Sequence, residues 1–239
     1  MGLRQNLTSG YDTTALDSIS INKLGWWSAY DTDDFVLTGD VVMSWLDKTD
    51  NQNNLQQVEN KDATRSSNDG EGVAFNRSSS LINDNFYITR GDPYTLVLVF
   101  EKESSASQSW LIDSRVIPPI SSGRNTVYSD STGYITAERR RDAEPNYSFY
   151  TTTSNANELG DKDILIINFN GTNSSISQNG VFTTGILGSG AMVGITVGSL
   201  WNPVPSYGLN GMIYEIIYFD GIIEDTTIIE DYLITKWDI

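Results

Sequence analysis

The chain has 239 residues, of which 38% are hydrophobic and 11% aromatic, enough to build a sizeable core in one domain. It contains neither cysteine nor histidine, which removes disulfides, thiol nucleophiles, Ser-His-Asp triads and the usual zinc or haem ligands. A formal charge of −16 argues against nucleic acid as a partner, and no apolar run approaches the ~18 residues of a membrane helix.

Residues 1–21 lack the apolar stretch of a signal peptide and read as part of an N-terminal arm. The segment WWSAYDTDD (26–34) follows, with Trp26 or Trp27 expected in the core and its three acids expected as a solvated edge. SWLDKTDNQNNLQQ (44–57) opens as a buried strand carrying Trp45 and runs into a loop of carboxylates and carboxamides. Asp47, Asp50, Asn51 and Asn53 offer the hard oxygens that calcium takes, the one cofactor the sequence raises. Their spacing is not an EF-hand's, and Asp and Asn also turn a chain by bonding their own backbone; turning is the expected role.

YTLVLVFEK (94–102) is a β-rich apolar run, and Trp110 beyond it receives no assignment from sequence. ERRRDAE (138–144) gathers Arg139, Arg140 and Arg141, whose planar forks suit an acidic neighbour or an anionic glycan; the flanking acids offer a local salt-bridge cluster as the alternative. DILIINFNG (163–171) and AMVGITVGSL (191–200) are further strands, and Asn179-Gly180 between them marks a two-residue hairpin turn. In LWNPVPSYG (200–208), Trp201 and Tyr207 are candidates for stacking on a sugar face, against ordinary loop packing.

NGMIYEIIYFDG (210–221) is long enough for a central strand buried on both faces. Glu215 within it is expected either on a wet face or enclosed with a partner. Asp220, five residues on, falls on the opposite face of a regular strand, so the two do not form the carboxylate pair of a glycosidase. From Asp225, a plausible N-cap, to Lys236 the pattern is helical: Ile228, Ile229, Tyr232 and Leu233 form the apolar stripe and Glu230, Asp231 and Lys236 the polar face.

Four pieces of this chain resemble the concanavalin A-like (laminin-G-like) jelly-roll domains found in bacteriophage and bacterial surface proteins. They are WWSAYDTDD (26–34), VVMSWLDKTDNQNNLQQ (41–57), GVAFNRSSSLIN (72–83) and the ending that closes on Tyr232-Leu233-Ile234-Thr235-Lys236-Trp237. Ser28 stands where that pattern has its first Asp, and Thr49-Asp50 where it has Ser-Gly. The resemblance implies an all-β, concanavalin A-like β-sandwich jelly roll with a short C-terminal α-helix, preceded by an arm over residues 1–25, with the sandwich over 26–239. It also implies a non-enzymatic virion structural protein, a capsid decoration or tail component, presenting a lectin-like face. Its expected partners are other virion proteins met through the arm in an oligomeric assembly, and a host-surface glycan, with assembly in the host cytoplasm. A stand-alone carbohydrate-binding module or adhesin is the alternative, and a glycoside hydrolase relying on Glu215 is third.

Overall fold

Apolar runs and apolar–polar alternation, punctuated by Gly, Asn and Asp, make strands of most of this chain. A computed structural model describes residues 13–66, 72–103, 108–114, 124–130, 134–140, 148–150, 159–201 and 207–239. The order opens with α1 (Thr14–Asp17), β1 (Lys23–Ser28), β2 (Phe35–Thr38), β3 (Val41–Trp45), β4 (Leu55–Gln57), β5 (Thr64–Arg65), β6 (Val73–Asn76) and β7 (Leu81–Ile88). It continues with β8 (Tyr94–Lys102), β9 (Ser109–Asp113), β10 (Arg124–Ser129), β11 (Ile135–Arg140), β12 (Ser148–Tyr150) and β13 (Lys162–Phe169). The last elements are β14 (Ser174–Gln178), β15 (Val181–Gly185), β16 (Met192–Val197), β17 (Asn210–Phe219) and α2 (Thr227–Trp237).

The ladders between these strands are antiparallel and form two layers. One runs β15–β14–β13–β8–β17, and the far edge of β17 is shared by β6 along Asn210–Ile213 and by β1 along Glu215–Phe219. The other runs β4–β7–β16–β9–β10–β11–β12. Strand β3 pairs with β2, β4 and β5, and β5 pairs with β6, so β3 joins the layers at one side. This is the all-β sandwich with a short C-terminal helix expected from sequence. Its interior is aromatic: Phe86 packs between Trp27 and Tyr218 at 5.9 and 5.0 Å between ring centres, and Tyr94 stacks on Phe169 at 4.4 Å.

A bulge in β17 decides what lies under α2. Against β8 the register slips between Ile213 and Glu215, leaving Tyr214 as the extra residue. Ile213 therefore shares the inner face with Phe100, while Glu215 shares the outer face with Val99. On β1, Trp27 turns inward, whereas Trp26 and Ser28 project on the same outer side as Glu215. Here α2 closes over them, burying Ile229, Tyr232, Leu233, Lys236 and Trp237.

The Glu215 carboxylate accepts the indole N–H of Trp26 on one oxygen and that of Trp237 on the other, both at 2.7 Å. The second oxygen also takes the Lys236 ammonium at 2.7 Å, and that ammonium donates to Ser28 Oγ and Tyr232 Oη at 2.8 and 3.0 Å. Both ionic side chains are enclosed, and burial pushes Lys236 below its ordinary value against the pull of Glu215. Lys236 thus does not lie on the polar face of α2, as expected from sequence. The helix also starts later, with Thr226 at the N-cap position, while Asp225 accepts the Thr227 N–H just before it.

The Asn179-Gly180 hairpin is present, with φ of 50° and 77° and Gln178 opposite Val181. Asn179 also bolts the turn to β13: its side chain accepts Ile164 N–H at 2.8 Å and donates to Asp163 at 2.6 Å. At the other end of the chain, residues 13–25 lie against the sandwich, with Leu16 of α1 in the core and β1 starting at Lys23.

Lys236→Met or Glu215→Gln alone is expected to cost about 3–5 kcal/mol, because each leaves the opposite charge enclosed without its counter-ion. The double variant is expected to cost less than the sum, and urea unfolding of the four proteins reads the coupling. A pH dependence follows from Asp163, whose carboxyl burial pushes above its ordinary 3.8 against hydrogen bonds from Asn179 and Gln178. Between 3.8 and the raised native value, the folded chain keeps a proton that the unfolded chain has released. The stability from this group is therefore full below 3.8 and is lost as pH rises through the native value. Urea curves at about pH 3 and pH 7 should show the balance between wild type and Asp163→Asn moving toward the variant as pH rises.

Candidate functional site

A second bulge builds the most chemically distinctive surface. Strands β9 and β10 slip register between Val127 and Tyr128, which leaves Leu111 as the extra residue. Trp110 and Asp113, three apart, thereby share the outer face of the second layer with Arg124, Thr126 and Tyr128 of β10. Thr196 of β16 lies opposite Asp113, and Thr136, Glu138 and Arg140 of β11 lie opposite Tyr128, Thr126 and Arg124.

Trp110 stacks on Tyr128 at 4.6 Å between ring centres, and the Arg124 guanidinium lies 4.6 Å from the Trp110 ring. Arg124 holds Asp113 with two hydrogen bonds, Nε to Oδ1 at 2.9 Å and Nη2 to Oδ2 at 3.1 Å. Asp113 Oδ2 also accepts the backbone N–H of Trp201 at 2.8 Å. Burial pushes the Asp113 carboxyl above its ordinary value, opposed chiefly by Arg124. At 1% exposure and with both oxygens engaged, Asp113 is placed to position its neighbours rather than to exchange a proton with a substrate.

Trp201 and Tyr207 both border this face. The chain leaves β16 through Gly198, at φ +79°, where an added Cβ would lie 2.1 Å from the Phe75 ring, and reaches Trp201 three residues later. The Trp110 N–H donates to Tyr207 C=O at 3.0 Å, so each end of this loop is tied to β9. Tyr207 is 40% exposed. Beneath the rim, Trp110 Nε1 and the hydroxyls of Thr126, Thr136 and Thr196 are enclosed without a hydrogen-bond partner, as is Ser199 Oγ just beyond β16. Enclosed polar groups of this kind require water or a ligand oxygen.

The arginine tract divides. Arg139 points inward at 1% exposure, 4.9 Å from the Tyr94 ring, with Nε donating to Gly190 C=O at 2.8 Å. It is therefore withdrawn from any partner's reach; alternation along β11 sends it to the inner face while Glu138 faces out. The Arg140 side chain and Arg141 lie outside the described residues.

The 47–53 loop covers the free edge of β1. Asp47 Oδ1 accepts the N–H groups of Trp26 and Thr49, and its Oδ2 accepts Asn53 N–H and Thr49 Oγ1–H, at 2.8–2.9 Å. Asn51 donates to Lys23 and Leu24 carbonyls, and Asn53 donates to Leu24 C=O. Side chains thus do for β1 what a neighbouring strand would do. A calcium ion needs converging oxygens, and here donors ring both oxygens of Asp47; among the described residues no group of three or more acids is arranged for a metal. The acids of 31–34 are not all solvated, since Asp34 is buried and pairs with Lys48 at 2.7 Å. Beside this loop, Trp26, Lys48, Asp50 and Asp220 line an open cleft of about 630 Å³.

Compared with known proteins, the sequence matches no family model and no curated protein. Solved structures do match. The botulinum neurotoxin serotype D binding domain superposes with a TM-score of 0.65 at 12% identity, over 89% of this chain and 52% of that one. Domain 4 of AbnA, a GH43 extracellular arabinanase from Geobacillus stearothermophilus solved with arabinotriose, gives 0.62 at 14% identity, over 89% and 98%. Trypanosoma rangeli sialidase with sialic acid gives 0.59 at 14%, over 88% of this chain; the chain spans about a third of that protein. The likeness is one of fold.

Trp201 and Tyr207 are the two candidates that stand out in the sequence; Trp110, Asp113, Arg124 and the threonines carry no local signal and come together only through strand pairing. For the loop, Asp47→Ala is expected to cost about 2–4 kcal/mol through its lost hydrogen bonds. Asp50→Ala, at an exposed position, should stay within about 0.5 kcal/mol. Thermal or urea midpoints measure both, and a rise in the wild-type midpoint on adding calcium would assign the loop to that cation instead.

Proposed function

We propose that this protein is a non-enzymatic carbohydrate-binding β-sandwich whose ligand meets the Trp110–Tyr128–Arg124–Asp113 face at the rim formed by Trp201 and Tyr207. The observation that carries this reading is the clustering of enclosed, unpartnered hydroxyls and an indole N–H under that aromatic rim. Sugars supply both halves of the matching chemistry, hydroxyls for the polar atoms and C–H faces for the rings. The fold likeness to an arabinanase domain solved with arabinotriose and to a sialidase is consistent with this use of the scaffold. Binding without catalysis fits the two enclosed carboxylates, since Asp113 is held by Arg124 and Glu215 by Lys236 and two indoles.

The virion role implied by the family resemblance rests on an N-terminal arm that reaches a neighbouring subunit. Of that arm, residues 1–12 lie outside the described residues and 13–25 pack on their own sandwich, a placement that supports the free glycan-binding module. A glycan array is the direct test. Wild type is expected to bind a restricted set of glycans, with Tyr207→Ala and Trp201→Ala each weakening binding roughly tenfold. Silence across the array would sink the proposal. Co-purification of the protein with a viral particle, lost when residues 1–24 are removed, would restore the assembly role.

A further inference from the structure

The charges on the β16–β9–β10–β11 face limit which glycans it can hold. The Arg124 guanidinium lies 4.6 Å from the Trp110 ring, and Asp113 takes it bidentately. In the next register Glu138 lies opposite Thr126, and Arg140 lies opposite Arg124. Among the described side chains of these registers, the acids Asp113 and Glu138 stand against the one guanidinium of Arg124, so they bring no excess positive charge. Arg139 is turned inside and adds nothing to it. Around this patch the chain carries a formal charge of −16, a field that repels anions approaching within a Debye length or so.

The unpartnered groups point the same way. The threonine hydroxyls of residues 126, 136 and 196 each both donate and accept, and Thr126 and Thr196 flank Asp113 across three neighbouring strands. A sugar hydroxyl, or a water held by one, meets both needs, whereas a carboxylate or sulfate only accepts. Because these hydroxyls are enclosed, they act on a ligand at the rim through bridging water, a mode that suits hydroxyl-rich, uncharged ligands.

We propose that the ligand of this face is an uncharged oligosaccharide recognised through its hydroxyls, and that sialylated and sulfated glycans are excluded. This rests on the carbohydrate-binding reading above and narrows it to one chemical class. The test is an array of neutral and acidic glycans followed by calorimetry, with arabinotriose and the best neutral array ligand set against 3′-sialyllactose. The expected result is neutral binding that changes less than about twofold between low and high salt, with sialyllactose at least about tenfold weaker.

Thr126→Val is the diagnostic variant. Removing an enclosed, unpartnered hydroxyl is expected to leave the thermal midpoint unchanged or raised, so folding is not at risk. Loss of about fivefold or more in neutral-glycan affinity at that unchanged midpoint would support the proposal. Unaltered affinity in that variant would overturn the role of the hydroxyl row. Tighter binding of the sialylated probe, falling steeply with salt, would overturn the neutral specificity while leaving carbohydrate binding intact. No binding to any glycan would overturn the carbohydrate reading and this inference with it.

Discussion

The ion pair between Glu215 and Lys236 is the constraint on which the rest of this structure depends. Each charge on its own is prohibitive in a place without water, and the mutual attraction offsets that cost only when every remaining lone pair and proton is used. Here the three ammonium protons reach Glu215, Ser28 and Tyr232, and the carboxylate takes two indole N–H groups besides. Those partners come from β1, β17 and α2, so the network forms only when all three elements are in register. The Trp26, Tyr30, Tyr232 and Trp237 rings lie 5.1–5.8 Å from the ammonium, adding cation–π attraction and keeping water away. An apolar plug could cover this face as tightly; the ion pair gives the terminal helix a single docking address.

That address depends on a feature that sequence periodicity does not display. In an unbroken strand Glu215 would share a face with Ile213 and point into the sandwich, on the side away from Lys236. The bulge at Tyr214 turns it outward, beneath α2. The polar aspect of α2 was misjudged for a related reason. Residues 229, 232, 233 and 236 fall on one helical stripe, so the position of Lys236 was legible as buried; its residue type, normally solvated, argued the other way. A lysine on an apolar stripe and a glutamate in an apolar strand are each anomalous alone, and together they identify one another.

Strands and turns were legible because their signals are local. YTLVLVFEK is β8 from end to end, and Asn179-Gly180 adopts the left-handed conformations that its composition favours. The candidate site was legible only at its rim, where Trp201 and Tyr207 stand out in a Pro-rich segment. Its floor is assembled from β9, β10, β11 and β16, up to 86 positions apart between residues 110 and 196, and no local pattern links a tryptophan at 110 with a threonine at 196. Arg139 shows the same limit from the opposite side. Three consecutive arginines look like one basic surface, yet side chains alternate along a strand, and Arg139 is turned to the inner face.

The two register slips divide the labour of the fold. The slip in β17 places a charge where the terminal helix can neutralise it, and this face is then sealed and committed to holding β1, β17 and α2 together. The slip between β9 and β10 brings Trp110 and Asp113 to one outer face, and there the polar groups are left with hydrogen bonds to make. An inner core and a sealed face fix the scaffold; the face opposite holds enclosed hydroxyls and an indole N–H without partners. Fold likeness at 12–14% identity is a likeness of scaffold, and it leaves the side chains of such a face undetermined. In this chain, that face holds three unpartnered threonine hydroxyls beside one acid–guanidinium pair, a chemistry of hydrogen-bond matching rather than of charge attraction.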